Sequence, residues 1–109
     1  MTSGFDERKK TFEEKWAHDQ NLRFKVDARR AKLVGLWAAG EMGLSGDAAL
    51  AYAKSVVEAD MTEAGEEDVF RKIKGDLGAK GIARSDHLIR TKMAELLEEA
   101  KQQVMHEVK

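Results

Sequence analysis

Few side chains in this sequence could do chemistry, and spacing disqualifies most of those. Histidine is the usual proton carrier and metal ligand near neutral pH. His18, His87 and His106 stand far apart, with no i, i+4 pairing to turn two imidazoles toward one ion. There is no cysteine, which removes a thiol nucleophile, a disulfide framework and a thiolate zinc site together. Asp60 to Arg71 has the outline of a calcium loop, with Asp60 at its first position and Gly65 at its sixth. Ala64 offers no side-chain oxygen, and Arg71 stands where such a loop needs a bidentate glutamate, so calcium is not expected. Gly75, Gly78, Lys80 and Gly81 hint at a phosphate cradle, yet no Gly-Lys-Ser/Thr follows and no strand precedes. Backbone amides near Ser85 leave only a weak anion site as an expectation. With no Ser-His-Asp order and no isolated acidic pair in an apolar setting, catalysis has no constellation to rest on. The chain is not expected to be an enzyme.

The composition points the same way. Lys plus Arg number 19 against 20 for Asp plus Glu, a net charge of −1, so no basic field exists to attract nucleic acid. Charged residues make up 36%, aromatics 6%, and proline is absent, the profile of a solvent-rich all-α protein with a modest core. A chain of 109 residues forms one core and not two. The start, MTSGFDERKK, carries charge where a signal peptide needs an apolar centre, and no run approaches membrane-spanning length. A cytoplasmic protein with no direct membrane insertion is expected.

Helical periodicity organises the rest. From Phe5 to Ala39 nothing forbids helix, with no proline and no glycine before Gly35. At about 100° per residue, Leu22, Val26, Leu33, Leu36 and Trp37 share one stripe, and Phe5, Phe12 and Trp16 share another, rotated by roughly 80°. The aromatic stripe either packs on a different neighbour within the fold or belongs to an arm meant for another protein. Arg29 falls inside the apolar stripe and is expected to lay its stem there and hold a carboxylate at the rim. Phe24 points away from the stripe, and a covering helix is expected to bury it. The first secure helix runs from about Asp19 to Ala39 and ends at the glycines of GEMGLSG. A second follows Ser45 or Asp47 to about Asp60, with Ala49, Tyr52, Ala53, Val56 and Val57 inward and alanines small enough for a close neighbour. A third spans Glu66 to Leu77, with Val69, Phe70, Ile73 and Leu77 inward. Ser85 caps a fourth that passes Val104. These predict a four-helix bundle over residues 20–109, mostly antiparallel, preceded over residues 1–19 by a flexible, partly helical N-terminal arm.

The blocks FDERKKTFEEKWAHDQNLRFKVDARRAKLVGLWAA, YAKSVV, EEDVFRKI and IRTKM occur here in order over essentially the whole chain. Together they resemble the zeta subunit, the small inhibitor of the F-type ATP synthase in alphaproteobacteria. Trp16 stands where that family often has Phe. The resemblance implies a four-helix bundle whose mobile arm enters the catalytic head, becomes helical there and blocks the rotation that hydrolyses ATP. It implies the alpha, beta and gamma subunits as partners, a free monomer, and a cytoplasmic location peripheral to the inner membrane through the synthase. The contacts it transfers are Phe5, Arg8, Lys9, Phe12, Lys15 and Trp16, with His18 and Asp19 at the root of the arm. No cofactor is required; weak adenine-nucleotide binding by the bundle is implied without a site. The alternative is a nucleotide-binding helical module, or an assembly factor of the synthase with weak or no inhibition.

Overall fold

The long N-terminal run of helix-forming sequence breaks at one residue. The computed structural model describes the backbone of residues 4–62 and 66–107 and the side chains of residues 7–60 and 66–107. Asp19 lies between two helices with φ −96° and ψ 110°, an extended conformation. Its carboxylate accepts from the backbone N–H of Asn21 (2.9 Å) and of Leu22 (3.2 Å). That is an N-cap, and it starts a new helix axis where the old one could have run on. Before it lies α1, Gly4–His18; after it come α2, Gln20–Glu41, α3, Gly46–Thr62, α4, Glu66–Ala79, and α5, Asp86–Glu107. No strand occurs among the described residues.

The other boundaries follow from backbone chemistry. Past α2 the N–H of Leu44 donates to the Ala39 carbonyl (2.8 Å) and that of Gly43 to Gly40 (3.1 Å), with Gly43 at φ +76°. Past α4 the same pair recurs, Ile82 to Leu77 (2.9 Å) and Gly81 to Gly78 (2.9 Å), with Gly81 at φ +73°. Both are Schellman closures, whose left-handed residue favours glycine. At α5 the Ser85 hydroxyl accepts from the Leu88 N–H at 3.0 Å, capping the helix as its sequence suggests.

Helix α2 is the hub, packed most broadly on α3, then on α5, and touching α1 and α4. With α5 it carries two apolar clusters along its length. One joins Ala31, Val34 and Ala38 to Val56, Val69, Phe70, Ile73, Leu77, Ile89 and Met93. The other joins Leu22 and Val26 to Ala100, Val104, Met105 and Phe12. The inward residues expected of α4 are all buried. Gly35 marks the closest helix crossing: a Cβ placed on it would lie 2.7 Å from the Ala53 Cα. The small side chains of α3 permit that approach, as its alanines suggest.

The described residues form five helices, and within the arm expected to be partly helical over residues 1–19, residues 4–18 are one unbroken helix that rests on α2 and α5. One expectation needs correction. Phe24 is 56% exposed, not buried. Helix α2 spends its buried surface on the cluster with α3, α4 and α5 through Ala31, Val34 and Ala38 and on the cluster with α1 and α5 through Leu22 and Val26, and among the described residues no helix covers the side that Phe24 occupies. Phe24 borders an open groove with Lys25, Ala28, Lys32 and Val57. Arg29 behaves as expected, donating to Gln103 Oε1 (2.9 Å) and pairing with Glu107 (2.6 Å) at the rim.

Candidate partner-binding face of the first helix

Helix α1 offers Phe12 and Trp16, four residues apart and therefore on one face. Phe12 is 7% exposed, set against the Leu22, Val26, Ala100, Val104 and Met105 cluster, and Trp16 packs half-buried beside it. Thus α1 lies against the bundle through its aromatic stripe. The polar detail of that contact converges on α5. Lys101, 9% exposed, places Nζ 4.1 Å from the Trp16 ring centroid, 3.3 Å from Glu13 Oε2 and 3.4 Å from Glu98 Oε1. A cation over the face of an indole is attracted by the ring quadrupole, the more so when water is largely excluded. The Trp16 Nε1–H is buried and has no acceptor. A buried donor left unpaired costs about 1–3 kcal/mol relative to the same group in water.

The remaining expected contacts are spread over the outer surface of α1. Arg8, Lys9, Lys15, His18 and Asp19 are exposed. Lys15, His18 and Asp19 border a shallow depression with Thr11, Glu14 and Gln20 where α1 meets α2. Lys9 borders a narrower cleft beside Phe12, Glu13 and Lys101. The backbone of Phe5 is in α1, but its side chain lies outside the described residues. So the structure separates the expected set: Phe12 and Trp16 face inward, and the basic residues and His18 face water.

Of the calcium-like stretch, residues 63–65 lie outside the described residues, and the positions flanking them belong to helices. Asp60 is at the end of α3, and Arg71 is in α4. Burial pushes the Asp60 carboxyl above its ordinary range, and the charge of Arg30 opposes that shift. Arg30 is itself 6% exposed and reaches Glu66 at 3.5 Å and Asp27 at 3.8 Å. No group of three or more potential metal ligands occurs among the described residues. Gly75 and Gly78 lie inside α4, and Gly81 serves the Schellman closure. The cations nearest the N-terminus of α5 are engaged: Lys74 pairs with Asp86, and Arg84 with Glu41 at 3.3 Å. Asp86 already places a negative charge in that first turn, which disfavours a second anion there.

The protein family described as ATPase inhibitor subunit zeta matches residues 1–103, which includes the whole of α1 and the bundle up to the last turn of α5. The chain belongs to that family. The family is one of inhibitor subunits, a class that is generally non-catalytic. A solved structure, titled only as a solution NMR structure, is similar to it at 50% identity and a TM-score of 0.69, covering 80% of this chain and 99% of the other. Comparison with curated proteins finds no match. Among the described residues no helix is long and apolar enough to cross a membrane.

Lys101, Glu13 and Glu98 are the residues that sequence reasoning passed over. A signal was present. Lys101 falls within the phase of Leu97, Ala100 and Val104, so a cation occupies the apolar stripe of α5 as Arg29 does in α2. The phase marks Lys101 as unusual but does not name its partners, which stand 88 residues away in the case of Glu13.

Proposed function

We propose that this chain inhibits ATP hydrolysis by the F-type synthase, with residues 1–19 as the inhibitory arm and residues 20–109 as the body that carries it. The observation that carries this reading is the single-residue break at Asp19 between a helix of charged and aromatic residues and the hub of the bundle. One backbone rotation there moves α1 as a unit, leaving α2 to α5 and the larger of the two apolar clusters intact. A detachable helix with two adjacent aromatic side chains and a basic outer surface suits insertion into a groove between larger subunits. In the synthase that groove lies in the head, between alpha and beta subunits and against gamma. Phe5, Phe12 and Trp16 then supply the apolar contact, and Arg8, Lys9 and Lys15 the charged one. His18 and Asp19 stand at the root, where the arm leaves the body. The protein acts in the cytoplasm as a monomer, peripheral to the inner membrane through the synthase. Inhibition requires no cofactor, and any adenine-nucleotide binding by the body is weak.

The test is ATP hydrolysis by the synthase head from the same source, with the full chain and with the Phe12→Ala, Trp16→Ala double variant. Full-chain inhibition that the double variant loses, with its helical circular dichroism retained, is the expected result. If the full chain itself fails to inhibit while it binds the synthase or a nucleotide, the assembly or nucleotide-binding role replaces this one.

A further inference from the structure

The face that α1 would bring to the synthase is the face it turns toward its own bundle. Phe12 is buried there, and Trp16 is covered enough that its Nε1–H meets no water and no acceptor. We propose that α1 is stored in the groove between α2 and α5 of its own chain, with Lys101 as the clasp, and that storage withholds Phe12 and Trp16 from the partner until α1 swings out. The partner in this proposal rests on the inhibitor reading; the clasp does not.

Three groups surround the Lys101 ammonium, and two of them, Glu13 and Trp16, belong to α1. An ammonium mostly removed from water needs such partners, so the clasp closes only when α1 is in place. Opening it forfeits the Lys101 contacts with Glu13 and Trp16, a loss offset only in part because each polar member gains hydration. The ammonium is a compact and strongly hydrated charge. Glu13 is already 35% exposed at its side chain, and the Trp16 N–H obtains the acceptor it lacks in the groove. The apolar contact of Phe12 and Trp16 with Leu22, Val26, Ala100, Val104 and Met105 opposes opening alongside the clasp. The groove and an external partner therefore compete for the same two aromatic side chains. Lys101 is on α5, away from the surface that α1 would present, so replacing it changes storage and leaves the arm unaltered.

The chain contains two tryptophans, Trp16 and Trp37. In a Trp37→Phe background, emission and acrylamide quenching read Trp16 alone. The full chain is compared with Lys101→Ala, Lys101→Arg and Glu13→Ala, each checked for unchanged helical circular dichroism. Lys101→Ala and Glu13→Ala are expected to red-shift the emission and raise quenching, whereas Lys101→Arg, which keeps a cation, stays near the parent. Because apparent affinity scales with the fraction of competent protein, the half-inhibitory concentration of Lys101→Ala falls by the factor by which its released fraction rises. Unchanged emission and quenching in both alanine variants would overturn the clasp. Release without a matching gain in inhibition would overturn the withholding. If parent and variants all fail to inhibit, the inhibitor reading falls and the withholding with it, while the emission result still decides the clasp.

Discussion

Replacing Gly35 by alanine sets two opposed effects against each other in one methyl group. In an exposed helix the change stabilises by about 0.5–1 kcal/mol, since alanine has less backbone freedom to lose. At Gly35 the new Cβ meets the Ala53 Cα at 2.7 Å, with the Ala53 Cβ and Val56 Cγ2 at 3.2 Å each. Carbon atoms pack at roughly 3.5–4.0 Å, so α3 must retreat from α2 by about 1 Å. The obstructing atom is backbone, and no rotamer change can relieve it. Overpacking of this kind costs about 1–3 kcal/mol, and a helix displaced as a rigid body belongs in the upper part of that range. The net expectation is a loss of about 1–2 kcal/mol, which for a domain of this size lowers Tm by roughly 5–10 °C. Gly75 is the control: it lies within α4 with nothing within 4 Å of its would-be Cβ, so Gly75→Ala is expected to raise Tm by a few degrees. Thermal melts followed by far-ultraviolet circular dichroism read both. A Gly35→Ala variant as stable as the parent would refute the argument that this crossing sets the spacing of α2 and α3.

Two further outcomes follow from the same structure. Ser85→Ala removes the acceptor for the Leu88 N–H and should cost about 1 kcal/mol by denaturant titration, with Ser85→Asp recovering most of it. Tyr52 is the single tyrosine, so tyrosinate absorbance reports it alone. Burial, and then its 2.7 Å hydrogen bond to the Asp76 carboxylate and that group's charge, push the phenol well above its ordinary value of about 10. The folded pKa is the higher one, so this contribution is complete below pH about 10 and lost as pH rises from there toward the folded value. The absorbance midpoint should lie above that of the unfolded chain and move down in Asp76→Asn, and a midpoint insensitive to Asp76 would contradict the assignment.

Local chemistry was legible in the sequence because it is settled within a few residues. The cap at Ser85, the glycine ending of α2 at Gly43 and the inward stripe of α4 depend on side chains and backbone groups of the same segment. Each needs only the right residue at the right offset. Arg29 belongs with them, since a cation inside an apolar stripe has few places to go. So does the aromatic stripe of α1 as a stripe; what it would face stayed open between a neighbour in the fold and another protein.

Tertiary structure alone decided which surfaces meet. Periodicity gives the direction of a side chain around its own helix and says nothing about whether another helix lies there. Phe24 and Phe12 are both large aromatics on amphipathic helices, yet one is exposed and the other buried, because α2 and α5 together form a groove beneath Phe12 and among the described residues no element covers Phe24. The Lys101 clasp joins residues 88 positions apart, and the crossing at Gly35 depends on the absence of a side chain opposite Ala53. Those contacts depend on the relative placement of whole helices, which the sum of the packing sets and no single segment specifies.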